Sequence, residues 1–209
     1  MGFRYVELSG AEYKPGMVKA YALYTDMRRT GFFECGHEKV QKLYENQVWG
    51  QKSNYVEVPT DCPQRDERMG YTGDGQVFAL TGAYNFDTND FWKNFLRDLE
   101  LGQLDNSEGY VCATVPQTGP AGIGFVNMLG WGNAVTILPE LMYWQFGDEK
   151  ALPQQYESMK KFVEAEIRKM EGRNLWLGVS LGDWLALERI WHGRHSIIIP
   201  FPIPLSHVR

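Results

Sequence analysis

The sequence predicts a mainly α-helical fold preceded by a short extended segment. From Gly36 onward, apolar residues recur at helical spacing in five separate stretches. Two long intervals, residues 59–74 and 119–132, break that period with Pro and Gly. Extended-type patterns occur only near the N-terminus, in residues 2–9 and 17–25, with Lys14, Pro15 and Gly16 as the turn between them.

Two strands alone are only marginally stable in water, so these N-terminal runs are expected to be the edge of a sheet completed elsewhere. The first helix is expected from Gly36 to about Lys52, with Val40, Leu43, Tyr44 and Val48 on its inner face. A second is expected after Asp74, with Val77, Leu80 and Tyr84 inward. The third opens with Thr88 or Asn89 as N-cap and carries Phe91, Trp92, Phe95, Leu96 and Leu99. The fourth runs from Asn133 to Phe146 and stops at Gly147, with Pro139 disturbing its first part. The fifth spans residues 152–171 with Tyr156, Met159, Val163, Ile167 and Met170 inward, and Gly172 ends it. No short internal repeat is visible.

At 209 residues the chain is long enough for one domain with a substantial core. Apolar residues at 44% and charged residues at 22% describe a globular protein, neither disordered nor membrane-embedded. A net charge of −5 argues against a nucleic-acid partner, which needs a basic stripe. No apolar run reaches the roughly 18 residues that a membrane span requires, and there is no basic-then-apolar signal pattern. Cys35, Cys62 and Cys112 lack zinc-type spacing and are expected to be free thiols; no metal or other cofactor is implied. Aromatics at 14%, with seven Trp, are abundant. Most belong to a core, yet rings also stack on the C–H faces of sugars.

The most informative stretch runs from Pro59 to Asp74, P-T-D-C-P-Q-R-D-E-R-M-G-Y-T-G-D. It sets carboxylates and arginines among Pro and Gly that forbid an ordinary helix. One reading is a polar surface loop between helices. The other is a rigid loop that aims carboxylates into a pocket, as acid–base work on a sugar requires.

This stretch resembles the signature of α-L-rhamnosidases, glycoside hydrolase family 78. The resemblance continues in Trp49-Gly50-Gln51, Ser53-Asn54-Tyr55, Gln76-Val77-Phe78-Ala79, Tyr84-Asn85-Phe86-Asp87, Gly130-Trp131-Gly132 and Gly182-Asp183-Trp184, in the family's order. It covers residues 2–188. The implied fold is a toroid of six helical hairpins, (α/α)6, with the sugar at its centre. Five helices cannot close that ring, so the expectation is a partial toroid: residues 1–33 as a remnant of the preceding β-sandwich, and 34–188 as the first half of the catalytic domain.

The resemblance implies that Glu67 is the general acid protonating the glycosidic oxygen as α-L-rhamnose leaves. That role needs a carboxyl still protonated near neutral pH. Asp61 and Asp66 supply like charge around it and Arg65 and Arg68 oppose it; the sequence does not decide which prevails. Asp61 and Asp74 are expected to accept hydrogen bonds from sugar hydroxyls, and Arg65 to donate to them. Tyr71 stands where many relatives carry Trp, and Trp131 and Trp184 are the expected walls for the apolar face of the sugar, an ordinary core placement being the alternative for each. Asn133 replaces the Asp usual after Gly-Trp-Gly. The family inverts configuration, and its base is a Glu from a later part of the toroid. No residue here matches it, and Glu157 and Glu164 are not assigned the role. The expected partner is a rhamnose-containing glycoside. A non-catalytic carbohydrate-binding protein and another helical-toroid glycosidase remain the competing readings.

Residues 189–209 contain no Asp or Glu, whereas the preceding residues hold all 26, and they carry three of the four His together with Pro200, Pro202 and Pro204. A metal site and a proline-rich ligand segment are weaker readings of this tail than a shifted reading frame beginning near Glu188.

Overall fold

Large rings at helical spacing decide where the chain packs. The computed structural model describes residues 3, 5–66, 69–117, 127–173 and 176. They form α1 (Glu38–Asn54), β1 (Tyr55–Val56), β2 (Val58–Pro59), β3 (Gly70–Tyr71), α2 (Thr72–Asn85), α3 (Asn89–Leu104), β4 (Thr114–Val115), α4 (Ala134–Phe146) and α5 (Ala151–Met170). The mainly α expectation is met, and each of the five helices stands within a few residues of its expected place.

Packing centres on α3, α4 and α5, with α2 laid against α4. Trp92, Phe95, Leu96 and Leu99 of α3 are buried with Leu138 and Met142 of α4 and Phe162 of α5. The rings meet in preferred geometries. Tyr55 stacks on Phe91 at 4.4 Å, and Trp92 stands edge-on to Tyr55, Phe91 and Phe95. Pro139 lies inside α4 and is buried there. Gly147, left-handed at φ 65°, ends α4: its N–H reaches Tyr143 O at 3.0 Å and Asp148 N–H reaches Met142 O at 3.3 Å.

Two small antiparallel ladders frame the loop between α1 and α2. Strand β1 pairs with β2, and β3 pairs with β4 in the register Gly70–Val115 and Tyr71–Thr114. A bridge between Thr60 and Gly70 joins them.

Three expected faces are corrected. On α1, Leu43 is 67% exposed and Val40 is also exposed, leaving Val48 and Gln51 as the buried residues. On α2 the apolar row is the outer one: Val77 is 81% exposed, and Leu80 and Tyr84 are exposed too. Its buried side is Thr72, Gly73, Gly75, Ala79, Gly82 and Ala83, which admit close neighbours. On α5 the inner row is offset, with Gln155, Ser158, Phe162, Ala165 and Glu166 buried while Tyr156 and Ile167 face out. Glu171, at φ 52°, caps α5 just before Gly172.

The expected N-terminal strands are also corrected in part. Described residues up to Arg28 form no strand and are almost wholly exposed. Their anchors come late, where Thr25 N–H donates to Tyr55 O at 2.9 Å and Arg29 bridges Phe86. Without partner strands an extended run has no ladder to join. Cys35, Cys62 and Cys112 form no disulfide among the described residues. Among the described residues no helix is long and apolar enough to cross a membrane.

Candidate functional site

The loop after β2 is pinned before it turns. Buried Thr60 donates its hydroxyl to Asn54 O at 2.9 Å, and its N–H donates to the same carbonyl. The loop therefore leaves from the end of α1 in one fixed direction, with Asp61 as its first carboxylate. It returns through Gly70, whose missing side chain lets the backbone lie against Val115 O, Phe95 and Val58. Thr72 then locks the start of α2. Its N–H and hydroxyl both donate to Ala113 O, at 2.9 and 3.0 Å. Asp74 consequently sits in the first turn of α2, where the helix dipole favours a negative charge.

These elements surround a cavity of about 570 Å³ lined by Asp61, Asp74, Gln76 and Trp131, with Gln47, Gln51 and Tyr55 on the α1 side. The Asp61 carboxylate accepts from the Cys62 thiol at 3.1 Å and from Arg65 Nη2 at 3.4 Å. Arg65 is more than half exposed, so this pair orients the carboxylate and adds little stability. Trp131 belongs to a tight turn in which its N–H and that of Gly132 both donate to Met128 O, at 3.1 and 3.3 Å. Its indole lies on Gly73: a methyl there would come within 2.6–2.7 Å of three ring atoms.

Of the residues singled out from the sequence, the structure brings Asp61, Asp74 and Trp131 to one cavity and places Arg65 against Asp61. Tyr71 is half-buried, paired through its backbone with Thr114 at the edge of α2, and is not among the residues lining that cavity. Glu67 and Trp184 lie outside the described residues, as do Arg68, Asp183 and the segment 177–209. Asn133 flanks the start of α4 and is partly buried.

Sequence reasoning gave no role to the amides on the cavity wall. Gln76 donates Nε2 to Gly130 O. Gln51 donates to Gly82 O at 3.2 Å and accepts from Asn85 at 2.9 Å. Gln47 Nε2, Tyr55 Oη and Gln76 Oε1 are buried and find no hydrogen-bond partner among the described residues. Burial pushes the Tyr55 phenol well above its ordinary range, so it stays a neutral donor. The available signal was local: Gln47, Gln51 and Asn54 follow one helical face, and glycines flank Asp74 at 73 and 75. A ring face beside two carboxylates and several amides suits a polyhydroxylated ligand, whose hydroxyls are read by acceptors while its C–H face meets the indole.

The chain is similar to several proteins of known family. An α-L-rhamnosidase of Formosa agariphila is 43% identical over 166 residues, covering 78% of this chain and 17% of that protein. One from an Alteromonas species is 36% identical over 88% of this chain and 20% of its own length. The crystal structure of Streptomyces avermitilis α-L-rhamnosidase complexed with L-rhamnose superposes with a TM-score of 0.72 at 34% identity, covering 78% of this chain and 15% of that one. The chain thus spans a fifth or less of the length of these relatives. The family model for the bacterial α-L-rhamnosidase six-hairpin glycosidase domain matches residues 28–196, and the chain belongs to that family.

Proposed function

We propose that this chain supplies the acid side of a site that hydrolyses terminal α-L-rhamnose from rhamnosides with inversion. Glu67 acts as the general acid. Asp61 and Asp74 accept hydrogen bonds from sugar hydroxyls, Arg65 donates to them, and Trp131, with Trp184, walls the apolar face. What carries the reading is the meeting of Asp61, Asp74 and the Trp131 indole around one cavity large enough for a monosaccharide. Glu67 follows Asp61 by six residues and precedes Asp74 by seven, so it lies between the two carboxylates in sequence. No residue of these 209 matches the family's base. Positioned proton transfer contributes about 10²–10⁴-fold, so these residues by themselves are expected to bind the sugar and turn it over poorly.

The test pairs calorimetric titration of L-rhamnose with hydrolysis of an aryl α-L-rhamnoside, in the chain and in Glu67→Gln. We expect binding in both proteins, and residual hydrolysis in the parent that falls at least about 100-fold in the variant. Equal hydrolysis in both would remove Glu67 from the acid role. Binding with no hydrolysis in either would favour a non-catalytic carbohydrate-binding protein.

A further inference from the structure

We infer that Gln76 is a positioning residue that sets the orientation of Trp131, a role that builds on the sugar-binding reading above. Helix α2 grips the Trp131 turn at two points. Gly73 receives the indole, since the atoms nearest to a methyl built there are Trp131 Nε1, Cδ1 and Cε2 at 2.6–2.7 Å. Three residues later, on the same face of the helix, Gln76 donates Nε2 to the carbonyl of Gly130. Gly130 is the left-handed residue of that turn, at φ +92°, and immediately precedes Trp131. Fixing its carbonyl fixes the peptide plane from which Trp131 departs. On the far side Gly132 abuts Phe162, where a methyl would come within 2.6 Å of the ring. The turn therefore has no slack between α2 and α5, and the plane of the indole follows from the Gln76 amide.

The chemistry of the contact is selective. A carbonyl only accepts, and the amide NH₂ is the donor that the Gln76 side chain offers. Glutamate has nearly the same shape but presents an acceptor to an acceptor. Gln76→Glu thus keeps the volume, loses the donor and separates positioning from packing.

Two measurements test this on the full chain. The first is the Trp131 indole N–H resonance in a ¹H–¹⁵N spectrum, assigned by its disappearance in Trp131→Phe. We expect it to move in Gln76→Glu while the other indole signals stay; an unmoved signal in folded protein overturns the proposal. The second is L-rhamnose affinity in a double-mutant cycle. Gln76→Glu should weaken binding about tenfold, and Gln76→Glu combined with Trp131→Ala should bind no more weakly than Trp131→Ala alone. Fully additive losses, or unchanged affinity in Gln76→Glu, would overturn it. If Gln76→Glu does not fold, Gln76→Ala takes its place with the same expectations. Should the parent chain bind no L-rhamnose, the sugar-binding reading fails, and the indole resonance still decides whether Gln76 positions Trp131.

Discussion

The α3–α4–α5 core and the α1–α2 wall of the cavity solve burial in opposite ways. The core is filled by large rings and branched chains, with Trp92, Phe95 and Leu138 fully enclosed. The cavity wall is closed by glycine, alanine and amides. Gly73 admits an indole, Gly75 abuts Pro59, and Gly82 lies beneath Gln51 and Tyr55. The core draws its stability from apolar area removed from water. The wall draws its precision from close approach and from directional hydrogen bonds, such as Asn85 to Gln51 and Gln51 to Gly82. On the proposed sugar-binding reading the wall must present polar groups, which leucine cannot supply.

The sharpest way to break this comparison is to empty the core. Trp92→Ala removes a fully buried ring touching Tyr55, Phe91 and Phe95. It should destabilise the fold by about 3–5 kcal/mol, read as the urea midpoint at constant slope. A cost below about 1 kcal/mol would mean that this cluster does not hold the helices together.

The wall should respond to addition instead. In Gly82→Ala the new methyl would lie 2.9 Å from Gln51 Nε2 and 3.0 Å from Tyr55 Oη. At an ordinary helical position this change would be stabilising, because alanine has the higher helix propensity. Here the clash should prevail, with a net loss of about 1–3 kcal/mol. A gain in stability would show that the wall has room and that α2 is not seated as closely as described.

The same contrast explains how much was legible in the sequence. On α3 the large residues are the buried ones, so Phe91, Trp92, Phe95, Leu96 and Leu99 were identified correctly from spacing alone. On α2 hydrophobic size points to Val77, Leu80 and Tyr84 as the inner face, and all three face outward. Where close approach decides burial, small residues win the inner face and the periodic signal inverts. On α5 the inner row mixes Gln155, Ser158 and Glu166 with Phe162, and a purely apolar count slides off it onto Tyr156 and Ile167. In the site, charges among Pro and Gly mark the stretch from Pro59 to Asp74, and the resemblance singles out Asp61, Arg65 and Asp74 within it. Trp131 came from the resemblance of its Gly-Trp-Gly setting. Gln76 has no charge, no periodic mark and an effect exerted through a backbone carbonyl, so nothing short of the fold pointed to its contact.

Glu166 tests whether the core tolerates the kind of polar burial that the wall depends on. It lies on the buried row of α5, and its carboxylate oxygens find no hydrogen-bond partner among the described residues. Burial raises its pKa to about 7, against the opposing influences of the Trp176 indole and Lys169. An unfolded chain releases that proton near the ordinary glutamate value of about 4.3. Between these values the folded state binds more protons than the unfolded one, so stability falls as pH rises. The contribution is fully present below the unfolded pKa and is lost as pH passes through about 7. Gln at this position keeps the shape and cannot ionise. Glu166→Gln should leave stability at pH 4.5 nearly unchanged and raise it at pH 8 by up to about 3–4 kcal/mol, flattening the profile between. Urea unfolding at both pH values measures the difference directly. A parent whose stability is level from pH 5 to 8, or a variant with the same slope as the parent, would show that the Glu166 carboxyl is solvated. Buried polarity in the core would then be confined to neutral groups such as Gln103, whose amide accepts from the Ser158 hydroxyl at 2.8 Å.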